Sequence, residues 1–483
     1  MLNTIKEDEI LQIKKLTNIS IQKKATISYM LASFFTQGIN FITLPIYTRL
    51  LSTSDMGVVT TFTSWYAIIY AIGTLSLTAG SMSIAMVEFE KNRDQYQSVC
   101  LTLSTISAII FSLCYIVFGI KWGKVNLFSM PIMVTLCLLL FFYPALDSWY
   151  LRERYEYKYK AVLCVSIVVS ILSAVIPILC ISVAKKYCKN DLAEIRILAQ
   201  YSVTIIVGFL FYIYIMRKGK CIYNKKMIKF ALSLSLPLVV HTLAKNILDT
   251  SDRLMIAKMC GNSAAGIYGT VYNISMVALI LWSAINSAVV PVVFEKLKEK
   301  EYKYVESLTV RILLLFSIGS ILVTLVAPEI LHLLTTSEYY SAVHMMPAIA
   351  TGIYFTAVYG VYGNMLLFAK KSLQIMIATS GAAAINIILN YIFIRKYGYM
   401  AAAYTTFISF AALAFLQGKM QLKTYKKEVV STKYVVRISI FTMCICLSCN
   451  LFYNYFLLRY TMIAMIVMIL LFKKNYWKMV FRH

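Results

Sequence analysis

The segment HTLAKNILDTSDR, residues 241–253, places ionisable side chains inside a stretch that is otherwise apolar enough to cross a membrane. At about 100° per residue, its polar side chains share an arc of roughly 140° on one helix face. They are His241, Thr242, Lys245, Asn246, Asp249, Asp252 and Arg253. An ionisable side chain at the centre of a bilayer costs on the order of 3 kcal/mol, so we expect this stripe to face protein or water rather than lipid.

The spacing of the charges permits two interpretations. Lys245, Asp249 and Arg253 follow one another at four-residue intervals, so they can pair as a structural ladder of ions. Alternatively, the stripe is one wall of a hydrated central cavity, where Lys245 and Arg253 bind an anionic group such as pyrophosphate. Asp249 and Asp252 would then hold these cations in place or bind a coupling cation or proton. His241 could titrate near neutral pH.

The composition indicates that lipid surrounds most of the chain. Of its 483 residues, 60% are hydrophobic and 14% are charged, against roughly 25% charged in soluble domains. Basic cytoplasmic loops that meet anionic lipid headgroups account for the net charge of +26. No nucleic acid partner is expected, because the sequence has no basic soluble domain to hold one.

Apolar stretches of about 20 residues, the length that crosses a bilayer as a helix, predict an all-α membrane protein with about 14 transmembrane helices. If the N-terminus is inside, most Lys and Arg of the loops lie in the cytoplasm, so both termini are predicted to be cytoplasmic. Residues 1–24 have no apolar region followed by a cleavage site, so they do not resemble a signal peptide.

A repeat predicts how these helices are organised. RLLSTSDMGVVTTF at 49–62 follows the first span, and KMCGNSAAGIYGTV at 258–271 follows the seventh. Units of six helices start on the same side, so two lobes related by a pseudo-two-fold axis along the membrane normal are expected, with a site between them. The predicted parts are a cytoplasmic segment (1–24), an N-lobe (25–216), a C-lobe (229–418), two further helices (434–472) and a cytoplasmic tail (473–483).

The repeat superposes Gly57 on Gly266, which makes the first span equivalent to the seventh. Gln37 and Asn40 give that first span a polar face. The predicted substrate-binding residues of the cavity are therefore Lys245, Arg253, Asp249, Asp252, His241, Asn246, Asn40 and Gln37. No nucleotide-binding or hydrolase motif is present, so no catalytic residue is predicted. Cys446 and Cys449 have CxxC spacing but lack the further ligands of a zinc site, so no metal site is predicted.

Three segments resemble the Wzx-type flippases of O-antigen and other polysaccharides, which belong to the multidrug/oligosaccharidyl-lipid/polysaccharide exporter superfamily. They are QGINFITLPIYTRLLSTSDMG in the first span, LPLVVHTLAKNILDTSDRLMIAKMCGNSAAGIYGTVYNIS in the seventh and eighth, and AINSAVVPVVFEKLKE after them. The resemblance extends through the twelfth span. The block TSDRLMIAKMCGNSAAGIYG is its most specific part.

This resemblance implies two six-helix lobes in a bacterial inner membrane that carry an undecaprenyl-pyrophosphate-linked oligosaccharide to the outer leaflet by alternating access. It also implies cations in the cavity for the pyrophosphate, a role that fits Lys245 and Arg253. Glycosyltransferases and a glycan polymerase are the implied partners, besides membrane lipids. The first span departs from the family pattern, because it has no Lys or Arg deep within the membrane.

Other functions stay open at this point. A multidrug or cation antiporter of the same superfamily needs a membrane-buried carboxylate, and the N-lobe offers little: Asp147 lies at the inner end of the fourth span, near Arg152, and Glu88 ends the second span. Lys245 and Arg253 would also repel hydrophobic cations. A lipid II flippase would carry a related precursor. A membrane glycan polymerase is less favoured, because that chemistry needs paired acids or a large outer loop and the outside loops are short. No cofactor is expected, and coupling to a proton or Na⁺ gradient is open.

Overall fold

The computed structural model describes residues 2–122, 128–187 and 191–472, and these ranges are almost entirely helical, with no strand. A helix pairs all its backbone polar groups internally, as lipid requires. The first seven α-helices are α1 (Leu2–Leu50), α2 (Thr53–Gly73), α3 (Ser83–Glu88), α4 (Arg93–Trp122), α5 (Met130–Tyr155), α6 (Tyr159–Tyr187) and α7 (Leu192–Gly219). They are followed by α8 (Lys225–Cys260), α9 (Asn262–Ser275), α10 (Val277–Lys298), α11 (Tyr302–Leu325), α12 (Ala327–Leu334), α13 (Met346–Phe368), α14 (Ser372–Tyr397), α15 (Ala401–Tyr425), α16 (Thr432–Ser448) and α17 (Phe456–Phe472).

Eleven helices within the described residues are long and apolar enough to cross a membrane. This confirms the predicted all-α membrane fold, and the predicted number of fourteen spans is approximate. The first predicted span lies within the 49-residue α1, whose beginning is polar. The eighth is divided at Met276 between α9 and α10, and the last is the short apolar helix α17.

The chain divides into two compact units. The first contains residues 1–43 and 66–242, and the second contains residues 44–65 and 243–483. The end of α1 and the beginning of α2 therefore group with the second unit, whereas the sequence assigned them to the N-lobe. The lobe boundaries and the cytoplasmic segment remain predictions. Residues 2–24 form the first part of α1, and the predicted tail 473–483 lies outside the described residues.

Within the second unit, the beginning of α2 packs closely against the beginning of α9. A Cβ atom at Gly57 would lie 1.8 Å from the Asn262 carbonyl oxygen, and one at Gly266 would lie 1.9 Å from the Thr53 carbonyl oxygen. Only glycine permits so close an approach of two backbones. The contact is reciprocal, because the superposition of Gly57 on Gly266 also places Thr53 on Asn262. The repeat predicted from the sequence therefore has a structural counterpart here.

Candidate functional site

Helix α8 carries the polar stripe. It is 36 residues long and contains Pro237, so it extends for about 54 Å at 1.5 Å per residue. Lys245 lies near its middle, and its Nζ donates to Oδ2 of Asp249 over 2.6 Å. The side chain of Lys245 is 55% exposed and that of Asp249 is 27% exposed. Since Lys245 is about 30 Å from the beginning of the helix and about 22 Å from its end, its ammonium is stable there only if it meets water rather than lipid.

Arg253 does not extend this ion pair into a ladder. Within the described residues, no ion pair joins it to Asp249, and it is 9% exposed. Its guanidinium carbon lies 4.8 Å from the ring centroid of Tyr272 on α9. Its Nε has no hydrogen-bonding partner in the described part of the chain. An aromatic face attracts a cation without forming a hydrogen bond to it, so the Nε donor of Arg253 stays unused by the described residues in this arrangement.

Asp252 faces the interior of the second unit and is 0% exposed. The hydroxyl of Tyr268 on α9 donates to it, and Oγ1 of Thr406 on α15 donates to Oδ2 over 3.4 Å. The backbone N–H of Arg253 donates to Oδ1 over 2.8 Å. Among the described residues, Asp252 forms no ion pair with a Lys or Arg side chain. A buried carboxylate costs free energy when it is charged, and these three hydrogen bonds offset part of that cost.

Buried amides and hydroxyls extend these contacts into a network. Asn386 on α14 donates to Thr406 over 3.3 Å, and its Oδ1 accepts from Ser251 over 3.0 Å and from Asn390 over 2.9 Å. Thr405 donates to Asn390. We call this set the Asp252 network; its members are Ser251, Asp252, Tyr268, Asn386, Asn390, Thr405 and Thr406. Its oxygen atoms are the ligand type that hard cations prefer.

The predicted stripe therefore separates along the length of α8. Lys245 and Asp249 are partly exposed, whereas Asp252 and Arg253 are covered. The helical angle predicts one face for all of them, but α9 and α15 cover that face two turns beyond Lys245. The sequence did not identify the partners of Asp252 on α14 and α15. The signal for them was the pair of asparagines four residues apart in the apolar segment AINIILNYIF.

Of the remaining predicted residues, His241, Gln37 and Asn40 lie in the first unit and Asn246 lies in the second. His241 and Asn246 are half-buried on α8. Gln37 and Asn40 are exposed on α1. No group of three or more His, Cys, Asp or Glu side chains within the described residues could hold a metal ion. The role of each of these residues in binding a substrate remains a prediction.

Two family models and one curated relative match parts of this sequence. The family model described as "Polysaccharide biosynthesis protein" matches residues 23–297, and the MatE model matches residues 237–392. A curated relative, the Lsg locus putative protein 1 of Haemophilus influenzae, is 28% identical over 122 residues, which are 24% of this chain. The match spans only 30% of the length of that relative.

Solved structures share the fold at low sequence identity. The lipid II flippase MurJ has a TM-score of 0.64 and 15% identity, with 93% of this chain and 99% of that chain covered. An inward-facing multidrug resistance MATE family transporter of the MOP superfamily has a TM-score of 0.61 and 14% identity, with 81% and 96% covered. A MOP superfamily transporter from Pyrococcus furiosus has a TM-score of 0.56 and 14% identity, with 84% and 97% covered.

The first family model matches more than half of the 483 residues, and the matched range contains the whole of α8 and α9. The chain is thus an integral, multi-pass membrane protein with the fold of MOP superfamily transporters, and it belongs to the polysaccharide biosynthesis protein family.

Proposed function

We propose that this protein is a flippase that moves an undecaprenyl-pyrophosphate-linked oligosaccharide from the cytoplasmic to the outer leaflet of the inner membrane. The translocated lipid-linked oligosaccharide would be used to make a surface polysaccharide, such as the O-antigen of lipopolysaccharide. Family membership supports the polysaccharide. The observation that carries the proposal is the presence of two cations in the second half of α8, Lys245 partly exposed and Arg253 held against Tyr272.

These two cations suit a pyrophosphate in different ways. Lys245 is a mobile point charge whose present partner, Asp249, is a weak competitor because the pair is partly exposed. Arg253 presents a planar guanidinium fixed by an aromatic ring, the geometry that binds phosphate oxygens through paired hydrogen bonds. Translocation forms no covalent bond, so alternating access requires binding residues and no catalytic residue. Glycosyltransferases would supply the substrate, and a glycan polymerase would use it.

The Asp252 network is our proposed coupling site. A buried carboxylate costs free energy when it is charged and unpaired, so a proton or a Na⁺ ion bound there would change the stability of the packing between α8, α9, α14 and α15. Binding and release of that ion would then drive the conformational cycle from the ion gradient. Under this proposal, Asp252→Asn leaves the protein folded and removes the dependence of flipping on the gradient.

Neutral variants of the two cations test the flippase. In a strain that lacks its own flippase and expresses this chain with its glycan enzymes, Lys245→Gln and Arg253→Gln should reduce surface glycan at least ten-fold, which corresponds to about 1.4 kcal/mol of lost interaction. Arg253→Lys should retain part of the activity. Lys258→Gln is the matched control, because Lys258 lies on the same helix but near its end. Normal surface glycan in both neutral variants at normal protein level would refute the proposal.

A lipid II flippase is the second candidate, favoured by the coverage of 93% of this chain in the comparison with MurJ. Lipid II offers the same pyrophosphate to Lys245 and Arg253, so these residues do not separate the two substrates. Expression of this protein in cells depleted of their lipid II flippase separates the two substrates. Restored growth would favour lipid II, and failure to restore growth together with surface glycan export would favour the oligosaccharide.

A further inference from the structure

Helix α13 is buried along its first half, but one side of its second half stays open. Residues 346–354 are all buried. From there to the end of the helix, the residues that remain partly or fully exposed are Phe355, Tyr359, Gly360, Gly363, Asn364, Leu367 and Phe368. At about 100° per residue, those from Tyr359 onward occupy one half of the helix circumference. We call this half the open side of α13, and it carries no charged residue.

Helix α10 borders the open side on one flank. The ring of Trp282 covers Gly360 so closely that a Cβ atom at this position would clash with it. One turn further along α10, Oδ1 of Asn286 accepts a hydrogen bond from Nδ2 of Asn364 over 2.7 Å. Both amides are partly exposed, and this bond uses only one N–H and one lone pair of the two groups. These two residues, which we call the amide pair, can therefore both donate to and accept from a polar ligand on the open side.

Helix α15 borders the open side on the other flank, where Gln417 presents an unused acceptor. Gln417 is 2% exposed, and its Oε1 has no hydrogen-bonding partner within the described residues. This oxygen would lie only 3.3 Å from a Cβ atom at Gly363, so it points at the part of the open side where glycine provides no side chain. Buried acceptors are rarely left unpaired in native proteins. A ligand hydroxyl above Gly363 would supply the missing donor.

The open side begins beside the cations of α8. Tyr359 is close enough to Lys245 and Asp249 for their charges to act on its hydroxyl group. Tyr272, whose ring holds Arg253, also lies within electrostatic range of Tyr359. Lipid would not accommodate the partly exposed ion pair of Lys245 and Asp249, so Tyr359 beside them faces an aqueous space as well. The amide pair lies about 7.5 Å further along α13, at 1.5 Å per residue.

We propose that the open side of α13 binds the sugar that is attached to the pyrophosphate, with Tyr359, the amide pair and Gln417 as its contacts. This inference rests on the flippase proposal, in which Lys245 and Arg253 hold the pyrophosphate. The face of an aromatic ring attracts the C–H groups of a sugar, and amides pair with its hydroxyl or acetamido groups. An uncharged polar ligand suits a surface without charged residues. A prenyl chain does not suit it, because apolar contact would leave the amides without partners.

Competition against radiolabelled undecaprenyl pyrophosphate, bound to the purified full-length protein in detergent, tests this sugar site. The competitors are the unlabelled bare lipid and the same lipid carrying one glucose or one N-acetylglucosamine. One net hydrogen bond is worth up to about ten-fold in affinity, so the wild type should bind at least one sugar-bearing lipid about ten-fold more tightly than the bare lipid. Asn364→Leu should remove most of this gain and leave the affinity for the bare lipid unchanged. Asn450→Leu is the matched control, because Asn450 is another partly exposed amide of the second unit and donates to Tyr404, away from the open side.

Three results would overturn the proposal. The first is the absence of any gain from either sugar in the wild type, and the second is an undiminished gain in Asn364→Leu. The third is tighter binding of the bare lipid by Asn364→Leu, which would show that the prenyl chain occupies the open side. If Asn364→Leu does not fold because Asn286 loses its partner, the double variant Asn286→Leu/Asn364→Leu decides, since it replaces both polar groups. A wild type that binds no bare lipid would instead refute the flippase proposal, and this inference with it, so the two failures are distinguishable.

Discussion

At the scale of single residues, α8 shows how surroundings assign different roles to two carboxylates of one stripe. Asp249 is partly exposed and pairs with Lys245, so water screens its charge and the pair contributes little to stability. Asp252 lies three residues further along and accepts hydrogen bonds from two hydroxyls and a backbone N–H. The first carboxylate can therefore exchange its partner for a ligand at low cost, and the second cannot leave its position without unmaking buried hydrogen bonds.

This difference predicts whether substitution of Asp249 strengthens or weakens the binding of the lipid substrate. Asp249→Asn removes the group that competes with pyrophosphate for Lys245, so undecaprenyl pyrophosphate should bind more tightly. The interaction free energy of an exposed ion pair is about 0.2–1 kcal/mol, so the gain in affinity should be at most about five-fold. Tryptophan fluorescence of the purified protein, titrated with the lipid in detergent, measures the affinity. The gain should vanish in the double variant Lys245→Gln/Asp249→Asn. Weaker binding by Asp249→Asn alone would show instead that the carboxylate positions Lys245 for the ligand.

At the scale of helices, close packing in the second unit depends on where glycine occurs. Gly57 and Gly266 each face a backbone carbonyl of the other helix, so α2 and α9 approach until their backbones touch. Gly319 on α11 is a contrasting case, because a Cβ atom there would meet nothing within 4 Å. The same residue type is thus required in one helix pair and dispensable in another helix.

Alanine substitutions should separate these two situations. Gly57→Ala and Gly266→Ala should force the helices apart. Overpacking of this kind typically lowers the free energy of unfolding by about 1–3 kcal/mol, and a clash with backbone lowers it by at least as much. Gly319→Ala should be neutral or stabilise the protein by up to about 1 kcal/mol, because alanine favours the helix. Thermal unfolding followed by light scattering in one detergent compares the three. Equal unfolding temperatures for Gly57→Ala and Gly319→Ala would contradict the close contact.

At the scale of the whole molecule, the sequence predicts what depends on local pattern and misses what depends on distant partners. Hydropathy predicts the helices, and four-residue spacing predicts the contact between Lys245 and Asp249. Thr406 donates to Asp252 from 154 residues away, a pairing that no spacing rule contains. The backbone between α2 and α3 also escapes prediction, because Leu75 and Ser76 have φ angles of 53° and 45°, a left-handed conformation that is uncommon for residues other than glycine.

If the protein works by alternating access, the contact between α2 and α9 should open and close during each transport cycle. Thr53 Oγ1 and Ser263 Oγ lie 2.8 Å apart, so Thr53→Cys/Ser263→Cys should form a disulfide in a variant whose eleven native cysteines are replaced. Oxidation should then stop surface glycan export, and a reductant should restore it.

The matched control is Ser317→Cys/Thr442→Cys, whose parent hydroxyls lie 2.6 Å apart between α11 and α16. That disulfide joins two helices whose contact the transport cycle is not expected to open. If the fully crosslinked Thr53→Cys/Ser263→Cys variant still exported glycan, this contact would stay closed throughout the cycle. The proposal that α2 and α9 separate would then be wrong.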